Sequence, residues 1–274
     1  MISNKTPKEL AYLQDLFIAP DWGERFASLI DTNIELPKEA EAVYLACGTG
    51  GHALALKQRA GDKFKLIAID ENPENVEIAR AKARGAGIEI TLEQGHLEKL
   101  NLKENQFDLV MGNGSLVPVS RQSAMLKEMV RLAKPKGKVA LGLPSASSFG
   151  EFFSIYWEAL HNCGLIAQES DVENLITELP TISDLEQLAD RVGLEQVQVT
   201  PSIEEFDFES GEEFLRAPLI ADFLMVGWLA PVPEEKREQV TAEITSIINE
   251  ERHEGIFSLT VKATIIVGVK ARTN

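Results

Sequence analysis

The 274-residue chain reads as an α/β protein built on a doubly wound, mostly parallel sheet. Three observations predict this. Short apolar runs alternate with helix-like stretches from residue 40 to 145, joined by short connections. The runs lack regular apolar–polar alternation, so both faces of each strand are covered, as in a parallel sheet under helices. A glycine-rich turn, Gly48-Thr49-Gly50-Gly51, separates the first run from the helix after it.

Taken in order, residues 7–31 show helical spacing through Leu10, Leu13 and Phe17, then Phe26, Leu29 and Ile30, with a break expected at Pro20. Thr6-Pro7 supplies a cap and a first-turn residue. Ala42–Ala46 reads as a buried strand, and His52–Gln58 as the helix after the glycine turn. Lys65–Asp70 is the next strand. Asn72-Pro73 opens a helix through Arg84, which Gly85 is expected to close. Ile88–Leu92, Phe107–Met111 and Val139–Leu143 read as strands, and Ser123–Ala133 as a helix stopped by a turn at Lys134-Pro135-Lys136-Gly137. Phe149–His161 and Ile182–Val192 are amphipathic helices, Gln196–Val199 is a strand, 209–252 is helical, and Leu259–Val269 is β-rich. No internal repeat or low-complexity tract is present.

Composition bounds the function. At 44% hydrophobic, the chain can bury a core. Two cysteines, Cys47 and Cys163, exclude a disulfide scaffold and a four-thiolate zinc site, and no His, Cys or acid spacing points to a metal. With 27 Lys+Arg against 43 Asp+Glu, the net charge is −16, which argues against a nucleic-acid partner, since phosphate binding needs cations. The acidity is concentrated in residues 201–256, which hold 14 acids and 4 bases. The N-terminal residues contain no apolar signal core, and the uncharged run Phe223–Pro233 is too short for a membrane span, so a cytoplasmic location is expected.

Glycine in the 48–51 turn lets the backbone bend sharply and approach a ligand, beside the unpaired N–H groups of a helix start. Twenty residues beyond Gly50, Asp70 closes the second strand, where an acid accepts hydrogen bonds from ribose hydroxyls. An adenosine-type cofactor fits this pair. So does a dinucleotide, because Gly48-Thr49-Gly50-Gly51-His52-Ala53 matches G-x-G-x-x-A.

Further segments separate the two. Val43–Gly50, Ile67–Asp70 with Glu71-Asn72-Pro73, Gly95-His96-Leu97-Glu98, Phe107–Gly114 and Leu126–Val139 follow in order. Together they resemble the class I S-adenosylmethionine-dependent methyltransferases, in particular the small-molecule group that includes ubiquinone/menaquinone-type C-methyltransferases. The resemblance covers residues 40–145 well and the C-terminal strand loosely. It implies a Rossmann-like, seven-stranded sheet with an N-terminal helical cap and a helical lid before an antiparallel last strand. It implies S-adenosyl-L-methionine as cofactor, contacted by Ala46, Cys47, Gly48, Thr49, Gly50, Asp70, Glu71, His96, Leu97, Asn113 and Gly114. Two positions depart from the family pattern. Tyr44 stands where an acid is common, and His96 where Asp is common. Backbone carbonyls at Ala46 and Asn113 are then the expected ammonium acceptors.

Methyl transfer from a sulfonium needs alignment and a dry pocket more than a nucleophilic side chain. No general base can be assigned; His52 and His161 qualify only by residue type. A small-molecule acceptor, apolar or aromatic, is expected to lie against Phe17, Trp22, Phe153 and Trp157, in the least family-like segments. The same aromatic segments also read as plain lid packing. The expected plan is one methyltransferase domain over 1–274: cap 1–38, cofactor-binding core 40–200, acidic helical lid 201–256 and terminal strand 257–272. Two other functions compete with catalysis: a binding or regulatory protein on a degenerate methyltransferase fold, and a nicotinamide-dependent oxidoreductase. Oligomeric state is not legible in the sequence.

Overall fold

A computed structural model of the chain describes residues 5–251 and 255–272. The elements run α1 (Pro7–Leu13), a π-helical segment (Gln14–Gly23), α2 (Glu24–Asn33), β1 (Ala40–Leu45), α3 (Gly51–Ala60), β2 (Phe64–Asp70), α4 (Pro73–Ala86) and β3 (Thr91–Gln94). They continue with β4 (Phe107–Asn113), α5 (Val119–Leu132), β5 (Ala133–Pro144), α6 (Gly150–Asn162), α7 (Glu169–Glu178), α8 (Ile182–Arg191) and β6 (Leu194–Phe208). The chain closes with α9 (Gly211–Arg216), a second π-helical segment (Leu219–Leu224), α10 (Met225–Trp228), α11 (Glu234–Glu251) and β7 (Phe257–Lys270).

The seven strands form one sheet in the order β3-β2-β1-β4-β5-β7-β6. Neighbours from β3 to β5 pair in parallel, and β7 pairs antiparallel with β5, Leu141 opposite Ile266. The predicted doubly wound, mostly parallel sheet is therefore present. Strand order reverses between β1 and β4, and in such sheets the crevice beyond the strand C-termini at that point holds the ligand.

Contacts divide the chain into two compact units. The first takes Pro7–Pro144, Thr181–Ser202 and the described residues of 263–274. Its core is built from Val43, Leu45, Val110, Met125, Met129 and Leu141, all fully buried. The second takes the described residues of 1–6, Ser145–Pro180 and the described residues of 203–262. Its centre is aromatic: Phe152 stacks on Trp228 with ring centroids 4.4 Å apart and packs on Tyr156 and Phe214. The Tyr156 hydroxyl donates to the Trp228 carbonyl at 2.8 Å. Helix α11 buries Val240, Ile244, Ile247 and Ile248, a helical stripe, while Glu234, Glu235, Glu238 and Glu250 stay exposed.

Several local expectations are corrected. Pro20 does not break the first helix. It lies inside the π-helical segment, whose wider winding changes the i−4 geometry with which the proline ring would clash. Gly85 is inside α4, and Gly87, with φ 65°, is the actual cap, its N–H reaching the Ala83 and Arg84 carbonyls. The third strand is Thr91–Gln94 rather than Ile88–Leu92, because pairing to β2 begins only at Ile67 opposite Thr91. Lys134–Gly137 does not separate a helix from a strand. It is an irregularity within β5, which already pairs Ala133 with Phe107 before the register shifts. The segment 201–256 begins as strand, not helix, since β6 runs to Phe208. Val197 and Val199 alternate with exposed neighbours. The alternation changes phase at Pro201, so that Phe206 is buried and Ile203 exposed, and an edge strand tolerates the proline.

Candidate functional site

After β1 the chain turns through Ala46, Gly48 and Gly50 with φ of 53°, 56° and 80°. Gly50 needs glycine for space as well as conformation, and Gly48 for conformation with a side-chain tip close by. A Cβ on Gly50 would stand 2.7 Å from the Ala79 methyl on α4, and one on Gly48 would stand 2.9 Å from the Gln14 amide nitrogen. The Gly50 carbonyl accepts from Leu54 N at 2.9 Å and starts α3. The N–H groups of the α3 first turn are thereby left at the strand ends, where a helix start favours an electron-rich ligand.

Asp70 ends β2 and is 8% exposed. Its Oδ2 accepts from the Gly48 amide at 2.8 Å, and its Oδ1 from the Asn72 amide and the Asn75 side chain, both at 3.0 Å. Burial raises its pKa above the ordinary carboxylate value; the three donors oppose the shift. The acid at the second strand thus ties down the glycine loop at the first.

Along the rim, Arg121 of α5 clamps two acids. It donates to Glu71 at 2.6 and 2.9 Å and to both carboxylate oxygens of Glu98. Burial works to raise the Glu71 pKa, but the Arg121 hydrogen bonds outweigh it and hold the carboxyl below its usual value. Glu98 is held low chiefly by Arg121. Leu97 is buried, and its N–H points at Glu71 at 3.4 Å. The His96 side chain is 89% exposed, with Nδ1 3.5 Å from Glu71. At the end of β4, Asn113 Oδ1 accepts from the Ser115 amide at 3.1 Å, and the Gly114 amide donates to the Gly142 carbonyl at 2.7 Å.

The N-terminal helices pack polar groups onto this loop. Thr49 Oγ1 donates to Asp15 Oδ1 at 2.5 Å, and Lys82 of α4 donates to the same carboxylate. Asn75 Nδ2 donates to Gln14 Oε1 at 2.9 Å, and Trp22 Nε1 to Ser115 Oγ at 3.0 Å. Tyr44, in place of an acid, shares a 3.0 Å hydrogen bond with His52 Nδ1, and His52 Nε2 meets Asp31 Oδ1 at 3.0 Å. Arg59 in turn holds Asp31 at 2.5 and 2.7 Å. Burial lowers the His52 pKa against the pull of Asp31, so the neutral ring donates to Asp31 and accepts from the tyrosine hydroxyl. Both His52 nitrogens are engaged, which makes it a packing link between α2, α3 and β1 rather than a base. Burial, and then Asp70, push the Cys47 thiol well above its ordinary pKa, so it is not a thiolate at neutral pH.

The four aromatic residues expected at the acceptor are divided between the units. In the first, Trp22 is buried and Phe17 is 57% exposed. In the second, Phe153 is buried edge-on to Trp228, and Trp157 is 44% exposed and stacks on His161. Among the described residues no group of three His, Cys, Asp or Glu side chains is placed to hold a metal, and no helix is long and apolar enough to cross a membrane.

Residues 42–137 match the family described as "Methyltransferase domain". The demethylmenaquinone methyltransferase of Lactobacillus johnsonii is 32% identical over 120 residues, 43% of this chain and about half (49%) of that protein. That of Bacillus licheniformis is 28% identical over 189 residues, 66% of this chain and 79% of that protein. Residues 42–137 are thus a methyltransferase domain, and the chain is similar to class I S-adenosylmethionine-dependent methyltransferases. Solved structures agree on the fold. The YcgJ protein of Bacillus subtilis superposes at TM-score 0.59 with 15% identity, covering 91% of this chain and all of that one. Phosphoethanolamine N-methyltransferase 2 of Haemonchus contortus, with S-adenosylhomocysteine bound, gives TM-score 0.59 at 13% identity, covering 98% of this chain and 59% of that one.

The candidate site holds residues that the sequence does not signal, or signals by spacing alone. Asn75 is five residues past Asp70, on the helix that Asn72-Pro73 opens, and its reach back to Asp70 was there to be found in that spacing. Arg121, Gln14, Asp15 and Lys82 carry no local signal; only the folded chain brings them to the loop.

Proposed function

We propose that this methyltransferase acts on a small apolar or aromatic acceptor of the hydroquinone type, with the cofactor held by the Gly48–Gly50 loop and Asp70. The observation that carries the reading is the coupling of Asp70 to the Gly48 amide, which sets an acceptor carboxylate beside a backbone cradle that no Cβ fills. S-adenosylmethionine, when bound, supplies an electrophilic methyl group on a sulfonium. The residues of this chain orient, dehydrate and accept hydrogen bonds. Asp70 would take a ribose hydroxyl. The Ala46 and Asn113 carbonyls, with Tyr44 unable to supply a carboxylate, accept from the methionine ammonium. Cys47, Thr49 and Gly114 shape the loop walls, and Glu71, His96 and Leu97 border the adenine. In-line displacement would then require that the acceptor be held against the methyl carbon in a dry pocket. The new bond would form as the carbon–sulfur bond breaks to leave S-adenosylhomocysteine, with the proton displaced from the quinol passing to water.

The hydroquinone class follows from the names of the two demethylmenaquinone methyltransferases that the chain resembles. Phe17 and Trp22, in the unit that carries the glycine loop, are its proposed contacts. The test is incubation with S-adenosylmethionine and a short-chain demethylated menaquinol, with S-adenosylhomocysteine quantified by mass spectrometry. A methylated quinol is expected. Cofactor binding with no methylated product from any quinol would remove the acceptor class while leaving the cofactor site standing.

A further inference from the structure

We infer that Asn75 is a second ribose-binding residue, its side-chain oxygen accepting from one hydroxyl of a vicinal diol while Asp70 accepts from the other. The identity of the ligand rests on the methyl-donor reading above; the need for a donor pair does not.

The Asn75 side chain is 3% exposed on the first turns of α4. Its Nδ2 is used twice, donating to Asp70 Oδ1 at 3.0 Å and to Gln14 Oε1 at 2.9 Å. Its Oδ1 is buried and, among the described residues, the one buried side-chain oxygen or nitrogen with no hydrogen-bond partner. Turning the amide over does not cure this. The oxygen would then face the Asp70 carboxylate, which cannot donate when ionised. Buried polar atoms without partners are rare in folded proteins, and one beside a binding loop points to a partner from outside the chain.

The neighbouring carboxylate says what kind of partner. An ionised carboxylate offers about four acceptor positions. Three on Asp70 are filled, by the Gly48 amide, the Asn72 amide and Asn75 itself. One acceptor position therefore remains on Asp70, at Oδ2, and both positions of the Asn75 oxygen are unused. A phosphate or carboxylate ligand has no donors to give them. Adjacent hydroxyls on a ribose supply two donors at neighbouring carbons and satisfy both at once. Gln14 is a positioning residue in this arrangement: it fixes the Asn75 amide from the cap while its own amide nitrogen lies over Gly48.

The test is calorimetry on the full chain with S-adenosylhomocysteine and its 2′-deoxy and 3′-deoxy analogues, for the wild type and Asn75→Leu. Asn75→Leu is expected to bind S-adenosylhomocysteine about tenfold more weakly, the scale of one buried hydrogen bond. One of the two deoxy analogues should cost the wild type a similar factor and cost the variant nothing further. If melting shows that Asn75→Leu is unfolded, Asn75→Ala takes its place in the same cycle. Affinity within twofold of wild type, or losses that simply add for both analogues, would overturn the assignment and leave the oxygen to a trapped water. A wild type that binds no S-adenosylhomocysteine would bring down the methyl-donor reading and this assignment with it.

Discussion

In the unit built on residues 7–144, the centre of the site is a carboxylate: Asp70, buried, collecting N–H donors from three residues. In the unit built on 145–180 and 203–262, the centre is Phe152, ringed by Tyr156, Phe214 and Trp228. The first is directional and fails when one hydrogen bond is lost. The second is held by area and shape, and fails when volume is lost. The contrast separates positions where a substitution alters binding from those where it alters stability.

The largest effect should come from the aromatic side. Phe152→Ala removes a fully buried ring and should cost about 3–5 kcal/mol in urea unfolding. A loss under about 1 kcal/mol would mean that the cluster repacks around the space and is not close-packed. Next is the carboxylate. Asp70→Ala strips an acceptor from three donors, and S-adenosylhomocysteine affinity should fall by about 1–3 kcal/mol in calorimetry. An unchanged dissociation constant would take Asp70 out of the cofactor site.

Arg121→Ala should be smaller, about 1 kcal/mol, because the clamp is partly exposed and screened. It also carries a pH signature. Glu71 and Glu98 are held below their ordinary values in the fold. Their contribution is therefore complete above the unfolded carboxylate pKa, about 4.3, and lost as pH falls through the folded values. The stability difference between wild type and Arg121→Ala should be full at neutral pH and vanish on acidification; a difference that grows below pH 4 would contradict the clamp. Smallest of all is the acidic surface. Glu234→Gln, Glu235→Gln and Glu238→Gln on the exposed face of α11 should each change stability by less than about 0.5 kcal/mol.

The same contrast explains what the sequence made legible. The glycine turn, Asp70 and the parallel strands are local patterns whose chemistry is written in consecutive residues, and each can be found in the folded chain. The Arg121 clamp and the Asp15–Thr49–Lys82 cluster join residues as far as 67 positions apart, so no window contains them. The sequence offers Gly85 as the stop of α4, but Gly87 is the glycine that adopts the left-handed conformation. Phe17 shows the limit of residue type. It was chosen as an aromatic beside Trp22, yet it lies on the exposed side of its helix while Trp22 lies inside.

That helix has a phase of its own. In the π-wound stretch Gln14–Gly23, residues four apart lie near one line: Gln14 over the loop, then Ile18 and Trp22 in the core, with Leu16, Phe17 and Pro20 facing out. An α-helix advances about 100° per residue instead of about 90°, so rewinding the same residues as α would turn Gln14 by about 80° relative to Trp22 over the eight steps between them. Gln14 and Asp15 would then point away from Asn75 and Thr49 with no change in their identity. The winding therefore acts as a spacer, and should be as restrictive as the composition of the stretch.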